Sequence, residues 1–330
     1  MMVITKTPLR VSFFGGGTDY PAWFRARGGA VLSTTIDKYC YITCRRLPPF
    51  FEYKSRIVYS KVELVKANSQ IEHPAVRAIL DYLKVEEGVE IHHDGDLPAR
   101  TGLGSSSSFA VGLLHASYAL KNAMIDKMRL AREAIHIEQE VLKENVGWQD
   151  QVIAACGGLN RIDFTRGGAV DVTPITLNPA RLEVLQSHLL LYFTGFSRIA
   201  SLIVKEQIER IPDTHSELAR LQDMVPEAAS LLCSNGNLDE FGRLLHEAWT
   251  LKRRLSSKIS SPEIDEIYER ARSAGALGGK LLGAGGGGFM LLFARPEDQP
   301  KIRKRLEKLT MVPFRFETEG SRIIVYQPES

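Results

Sequence analysis

The segment from Pro98 to Leu114, PARTGLGSSSSFAVGLL, sets two glycines and four serines immediately before a helical pattern. Backbone N–H groups left unpaired at a helix start, together with the helix dipole, attract anions, and glycine lets a phosphate approach the backbone closely. The spacing therefore predicts a phosphate cradle, with a flexible serine-capped loop as the plain alternative. Serine hydroxyls also suit a hard cation such as Mg²⁺. A second cluster, GKLLGAGGGGF from Gly279 to Phe289, contains a formal GxGxxG at Gly283, Gly285 and Gly288. It leads into FMLLFA, which reads as a strand, whereas a dinucleotide fingerprint must open a helix. The Walker pattern GxxxxGK[ST] and the HRD and DFG signatures are absent, so a nucleotide site here must be of another type.

Two carboxylates complete the chemistry. On a helical wheel for the span Asp126 to Glu144, Leu130, Ala134, Ile135, Ile137, Val141 and Leu142 define one arc, and Glu138 falls in its middle. A carboxylate on that face needs a cation, either an arginine or a metal. Asp150 follows in NVGWQDQ, where a glycine signals a change of direction. One acid for Mg²⁺ and another for an acceptor hydroxyl is the division of labour that phosphoryl transfer requires. In PLRVSFFGGGTDY, Pro8 to Tyr20, Arg10 could offset charge on a transferring phosphoryl group, and Asp19 could accept hydrogen bonds from sugar hydroxyls.

The elements that must position these residues are legible in outline. Leu9, Val11 and Phe13 alternate with Arg10 and Ser12, predicting a half-buried strand ended by Gly15. Strands are expected at Tyr39 to Cys44, Ile57 to Lys61, Val89 to His92, Asn160 to Phe164, Ala169 to Val172, Leu189 to Thr194, Phe289 to Ala294, Phe314 to Glu317 and Ile323 to Tyr326. Helices are expected after Gly102, from Asp126, between Arg198 and Ala274, and up to Leu309. Strands and helices without strict alternation favour α+β. A length of 330 residues suggests two domains, divided as 1–182 and 183–330. The 42 basic against 39 acidic side chains leave a formal charge of +3, too small to advertise nucleic acid or membrane. No apolar run approaches the roughly 20 residues of a membrane helix, and no signal-type region follows Met1, so a cytoplasmic protein is expected. Cys40, Cys44, Cys156 and Cys233 form no CxxC pair and read as ordinary thiols.

In order, PLRVSFFGGGTDY, PARTGLGSSSSF, VGWQDQ and KLLGAGGGGF resemble the motifs of the GHMP kinases, the small-molecule kinases that include galactokinase, homoserine kinase and mevalonate kinase. The resemblance spans Pro8 to Phe289. It implies a two-domain α+β fold, with an N-terminal domain like domain 2 of ribosomal protein S5 and a ferredoxin-like C-terminal domain. It also implies ATP and Mg²⁺, with the phosphate loop at Gly102, Leu103, Gly104, Ser105, Ser106 and Ser107. Ser106 is the metal-binding serine by this reading, beside Glu138. Asp150 inherits the base role and Arg10 that of the early-strand arginine. Gly17, Thr18, Asp19 and Tyr20 fall on the sugar contact, and the late loop, including Gly285 and Gly286, closes the site.

Where galactokinases carry an acidic residue and a histidine before Thr-Asp, this chain has Gly16 and Gly17, so those hexose contacts cannot form. The GGGTD form, with IDKY, GWQDQ, TGFSR and WTLKRRLS, is similar to the D-glycero-D-manno-heptose 7-phosphate kinases, and fucokinases share much of it. The implied partners are ATP and a phosphorylated sugar, with Arg198 and Lys252 as the expected holders of the sugar's own phosphate. A homodimer is compatible with the sequence. A catalytically silent sensor on the same scaffold is the competing reading.

Overall fold

The computed structural model describes residues 1–195 and 200–328. The chain builds two antiparallel-dominated sheets with helices packed against them. The first sheet contains β1 (Met2–Phe14), β2 (Gly29–Arg46), β3 (Ser55–Val58), β4 (Val62–Val65), β5 (Val89–Gly95), β6 (Leu159–Phe164) and β7 (Val170–Pro174). The long β2 is its axis: β1 pairs along one side, while β6 takes the first half of the other side and β5 the second. Among the described pairs of this sheet only β3 and β5 run parallel.

The second sheet is formed by β8 (Leu189–Phe193), β9 (Gly278–Leu281), β10 (Phe289–Phe293) and β11 (Thr310–Met311), in the order β11-β8-β10-β9. Its helices include His215–Cys233 and Asp239–Arg254, the latter burying Phe241, Leu245, Ala248, Trp249 and Lys252 at helical spacing on one face. The Phe241 ring lies 5.5 Å from Phe13 of β1 and 5.7 Å from Phe293 of β10, so one apolar core runs through both sheets. No helix of the described residues is long and apolar enough to cross a membrane.

Three features differ from the reading of the sequence. The half-buried pattern of β1 holds only as far as Lys6; from Thr7 onward both faces are buried. Helix Ser105–Leu120 packs on this strand, and the Ser108 hydroxyl donates to the Pro8 carbonyl at 2.9 Å. Second, the expected helix from Asp126 stops as an α-helix at His136 and continues as a π-turn, Ile137–Val141. The wider turn rotates later residues off the wheel: Val141 is exposed, while Glu138 stays buried. Third, the chain end leaves the second half. β12 (Phe316–Glu317) pairs with β2 and β13 (Arg322–Gln327) with β1, so strands from beyond residue 183 complete the first sheet. Residues far apart in sequence complete one sheet here, and pairing partners at that separation leave no local signal.

Candidate active site

Arg10 stands on the fully buried part of β1 and makes the central contact. Its guanidinium is a bidentate partner of Asp150, Nε to Oδ1 and Nη2 to Oδ2, both at 2.7 Å. Nη1 donates to the Gly102 carbonyl at 2.6 Å, and the Arg10 backbone N–H donates to the Leu103 carbonyl at 3.0 Å. Strand, phosphate loop and acid are thereby tied at one point. Gly104 precedes helix Ser105–Leu120 in a left-handed conformation, φ +75°, and no side chain caps that helix start. A Cβ on Gly104 would lie 3.2 Å from Arg10 Cγ and 3.3 Å from Asp150 Oδ2, so a larger residue would strain the left-handed backbone and press on the pair. Asp150 occupies the first turn of helix Gln149–Cys156, where the dipole favours a carboxylate, and Gln149 Nε2 donates to it at 3.0 Å.

Glu138 is 2% exposed and accepts from the Ser107 hydroxyl at 2.8 Å and from Gln151 Nε2 at 2.5 Å, both on Oε2. Burial raises its carboxyl to about 7, further than these hydrogen bonds pull it back. Ser106 is the serine the sequence assigns to the metal; the hydroxyl that bonds Glu138 is that of Ser107. Ser106 is exposed, and the Ser105 hydroxyl accepts from the Arg100 N–H at 3.2 Å. Helical phase decides between the three, since consecutive residues are about 100° apart on the wheel. Among the described residues no group of three or more acidic, histidine or cysteine side chains could hold a metal ion. Glu138 and Ser107 alone suit Mg²⁺ that arrives with triphosphate oxygens, because Mg²⁺ commonly uses one or two carboxylates plus substrate phosphates.

Asp19 is 6% exposed. It accepts from the Gly17 N–H at 3.0 Å and from the Gln149 N–H at 3.3 Å, which sets it beside Asp150. Burial, and then Asp150, push its carboxyl above the ordinary range. Gly147 makes this packing feasible, since a Cβ there would sit 1.8 Å from Asp19 Oδ2. Tyr20 is buried next to it, with its hydroxyl pushed well up by burial first and by Asp19 second. Thr18, expected at the sugar, has its hydroxyl on the Gly15 and Ala30 carbonyls at 2.8 and 2.9 Å and is fully buried. It locks the glycine turn that contains Gly17 and presents Asp19.

Lys252 is 7% exposed on helix Asp239–Arg254, and its ammonium donates to the Gly283 carbonyl. Burial, then Arg10, lower it to about 8, while Asp19 and Asp150 oppose the shift. The late glycine loop reaches the phosphate loop through the Phe289 N–H and the Thr101 carbonyl, 3.2 Å apart. Gly286, expected to bind nucleotide, has its N–H on the Ile259 carbonyl at 2.8 Å, and a Cβ on Gly285 would strike the Ile259 backbone. These two glycines hold the loop against the Ile259 backbone. Arg198 lies outside the described residues. Three residues escaped the sequence reading: Gln149, Gln151 and Lys280. Gln149 and Gln151 flank Asp150 and could have been flagged by that adjacency, whereas a lysine in a strand ordinarily reads as exposed.

The family model for the GHMP kinases N terminal domain matches residues 61–158, and that for the GHMP kinases C terminal domain matches 228–310. A D-glycero-alpha-D-manno-heptose 7-phosphate kinase of Campylobacter jejuni is 29% identical over 96% of this chain and 97% of its own. A galactokinase of Pyrococcus furiosus is 27% identical, with 96% of each chain covered. The crystal structure of a D-glycero-D-manno-heptose 1-phosphate kinase from Bacteroides thetaiotaomicron superposes with a TM-score of 0.80, at 25% identity, covering 99% of this chain and 100% of the other. With an uncapped helix start beside an arginine-paired aspartate, and both family domains in order, the chain belongs to the GHMP kinase family, as a sugar kinase with ATP as co-substrate.

Proposed function

We propose that the protein transfers the γ-phosphoryl group of ATP to the anomeric hydroxyl of D-glycero-D-manno-heptose 7-phosphate, giving the 1,7-bisphosphate. The observation that carries the reading is the Arg10–Asp150 pair set against the phosphate loop. Asp150 orients the acceptor hydroxyl and takes its proton as the new O–P bond forms and the bond to ADP breaks. Arg10 holds Asp150 in place and offsets charge on the transferring group. The amides of Ser105, Ser106 and Ser107 receive the phosphates. Glu138 and Ser107 would hold Mg²⁺, which when bound shields phosphate charge. Asp19 accepts hydrogen bonds from sugar hydroxyls.

The test is ADP production with a panel of heptose 7-phosphate, heptose 1-phosphate, L-fucose and galactose. The highest kcat/KM is expected with heptose 7-phosphate. A higher value with L-fucose or galactose would assign the chain to another sugar, and no turnover despite ATP binding would favour a sensor. By this reading Lys252, buried beside the acids, meets the acceptor's phosphate. Lys252→Met is expected to raise KM for the phosphorylated sugar on the order of tenfold or more, as loss of a charge-assisted hydrogen bond does, with a smaller effect on a sugar lacking phosphate. Equal effects on both would remove Lys252 from phosphate binding.

Glu138 gives a pH signature without any sugar. Its folded carboxyl stands at about 7 against an ordinary 4.5, so the folded state binds a proton more tightly than the unfolded one. This contribution to stability is complete below about 4.5 and is lost as pH rises through about 7. Its size is on the order of 3 kcal/mol. In metal-free protein, Tm should fall over this window relative to Glu138→Gln, which has no such proton. Parallel Tm profiles would remove the buried acid from this account. The same variant should weaken the dependence of turnover on Mg²⁺.

A further inference from the structure

β9 carries Lys280, a 3% exposed lysine on the second sheet. Its ammonium crosses to the first sheet and donates to the Phe13 carbonyl of β1 at 2.9 Å. Among the described residues that carbonyl is the one acceptor it meets, although an ammonium carries three donors. Burial, then Lys252 and Arg10, work against its charge, and Asp19 favours it. A methionine would fill similar space without desolvating a cation, so packing alone does not account for an amine here.

What the amine does is local. Phe13 is followed by Phe14 and the glycine turn, within which the Gly17 N–H donates to Asp19 Oδ1. On its other side β9 runs directly into the late loop, where Gly283 accepts from Lys252 and Phe289 reaches the Thr101 carbonyl of the phosphate loop. Lys280 thus joins the turn bearing Asp19 to the strand that leads onto the nucleotide side.

We propose that Lys280 is a positioning residue for the sugar side of the site, fixing the turn from which Asp19 faces the acceptor. The inference rests on the sugar-binding role given to Asp19 above. It is tested in the full chain with Lys280→Met and Lys280→Arg, using whichever sugar on the panel is turned over. Lys280→Met should raise acceptor KM on the order of tenfold or more while ATP KM stays within about twofold, and Lys280→Arg should recover most of the loss. An unchanged acceptor KM, or equal losses for sugar and ATP, would overturn it.

Hydrogen exchange over residues 13–20 needs no sugar. The Gly17 amide should exchange faster in Lys280→Met, and unchanged protection would equally overturn the proposal. If the wild-type protein phosphorylates no sugar, the kinetic panel rejects the acceptor reading, while the exchange comparison still decides whether Lys280 holds the turn. Should Lys280→Met not fold, Lys280→Gln takes its place, since it keeps a donor and drops the charge.

Discussion

Asp150→Asn is expected to lower kcat by about 10²- to 10⁴-fold, the range in which a positioned general base contributes. The amide keeps nearly the same shape but cannot take a proton from the acceptor hydroxyl. It also places an NH₂ group opposite a guanidinium that now donates to both carboxylate oxygens at 2.7 Å. Some loss of Tm therefore accompanies the kinetic effect, because one of two charge-assisted hydrogen bonds becomes a clash of donors. ATP affinity should change little, since the loop amides and the helix start do not depend on the protonation of Asp150. The measurement is single-turnover ADP formation alongside equilibrium ATP binding. Near-normal turnover with intact binding would take the base role away from Asp150.

The Arg10→Met variant should do more damage, and of a different kind. It leaves Asp150 in a largely buried place with Gln149 as its remaining side-chain donor, and it strips the Gly102 carbonyl of its guanidinium. Breaking a buried pair from one side typically costs about 3–5 kcal/mol; with Asp150 a quarter exposed, the lower end is expected. On the reaction, removing a cation that offsets phosphoryl charge is worth on the order of 10³-fold in kcat. ATP binding should also weaken, because the phosphate loop loses one of its two ties to β1. Arg10→Lys separates the two parts: it restores charge without the two-pronged geometry, so Tm should recover more than kcat. If Arg10→Lys turned over at the wild-type rate, the bidentate contact would be irrelevant to catalysis.

The α+β fold of the GHMP kinases was legible in the motifs of the sequence. Glu138 was singled out by its place on an apolar arc, and it is indeed buried, although the arc assumed an α-helix and the chain makes a π-turn there. The wheel worked because Glu138 lies only one residue into the turn, before the phase error accumulates; Val141, three residues later, is exposed where the wheel buried it. Ser106 and Ser107 are chemically identical and adjacent, and only the phase of helix Ser105–Leu120 against Glu138 separates them. Thr18 reads as a sugar contact in a motif, and in the fold its hydroxyl bonds the Gly15 and Ala30 carbonyls.

By itself the sequence determined which groups are present and their local setting: a glycine–serine helix start, an early arginine, two acids at a helical spacing and a turn respectively, and strands at period two. These are short-range properties, set by backbone propensity and by the neighbours of each residue. Only the tertiary structure decided that Arg10 would meet Asp150, that Lys280 would cross between sheets to Phe13, and that the last strands would return to β1 and β2. Each of these joins residues over a hundred positions apart. Such contacts are selected by the joint packing of both sheets and by the need to pair buried polar groups, and no local segment carries that information.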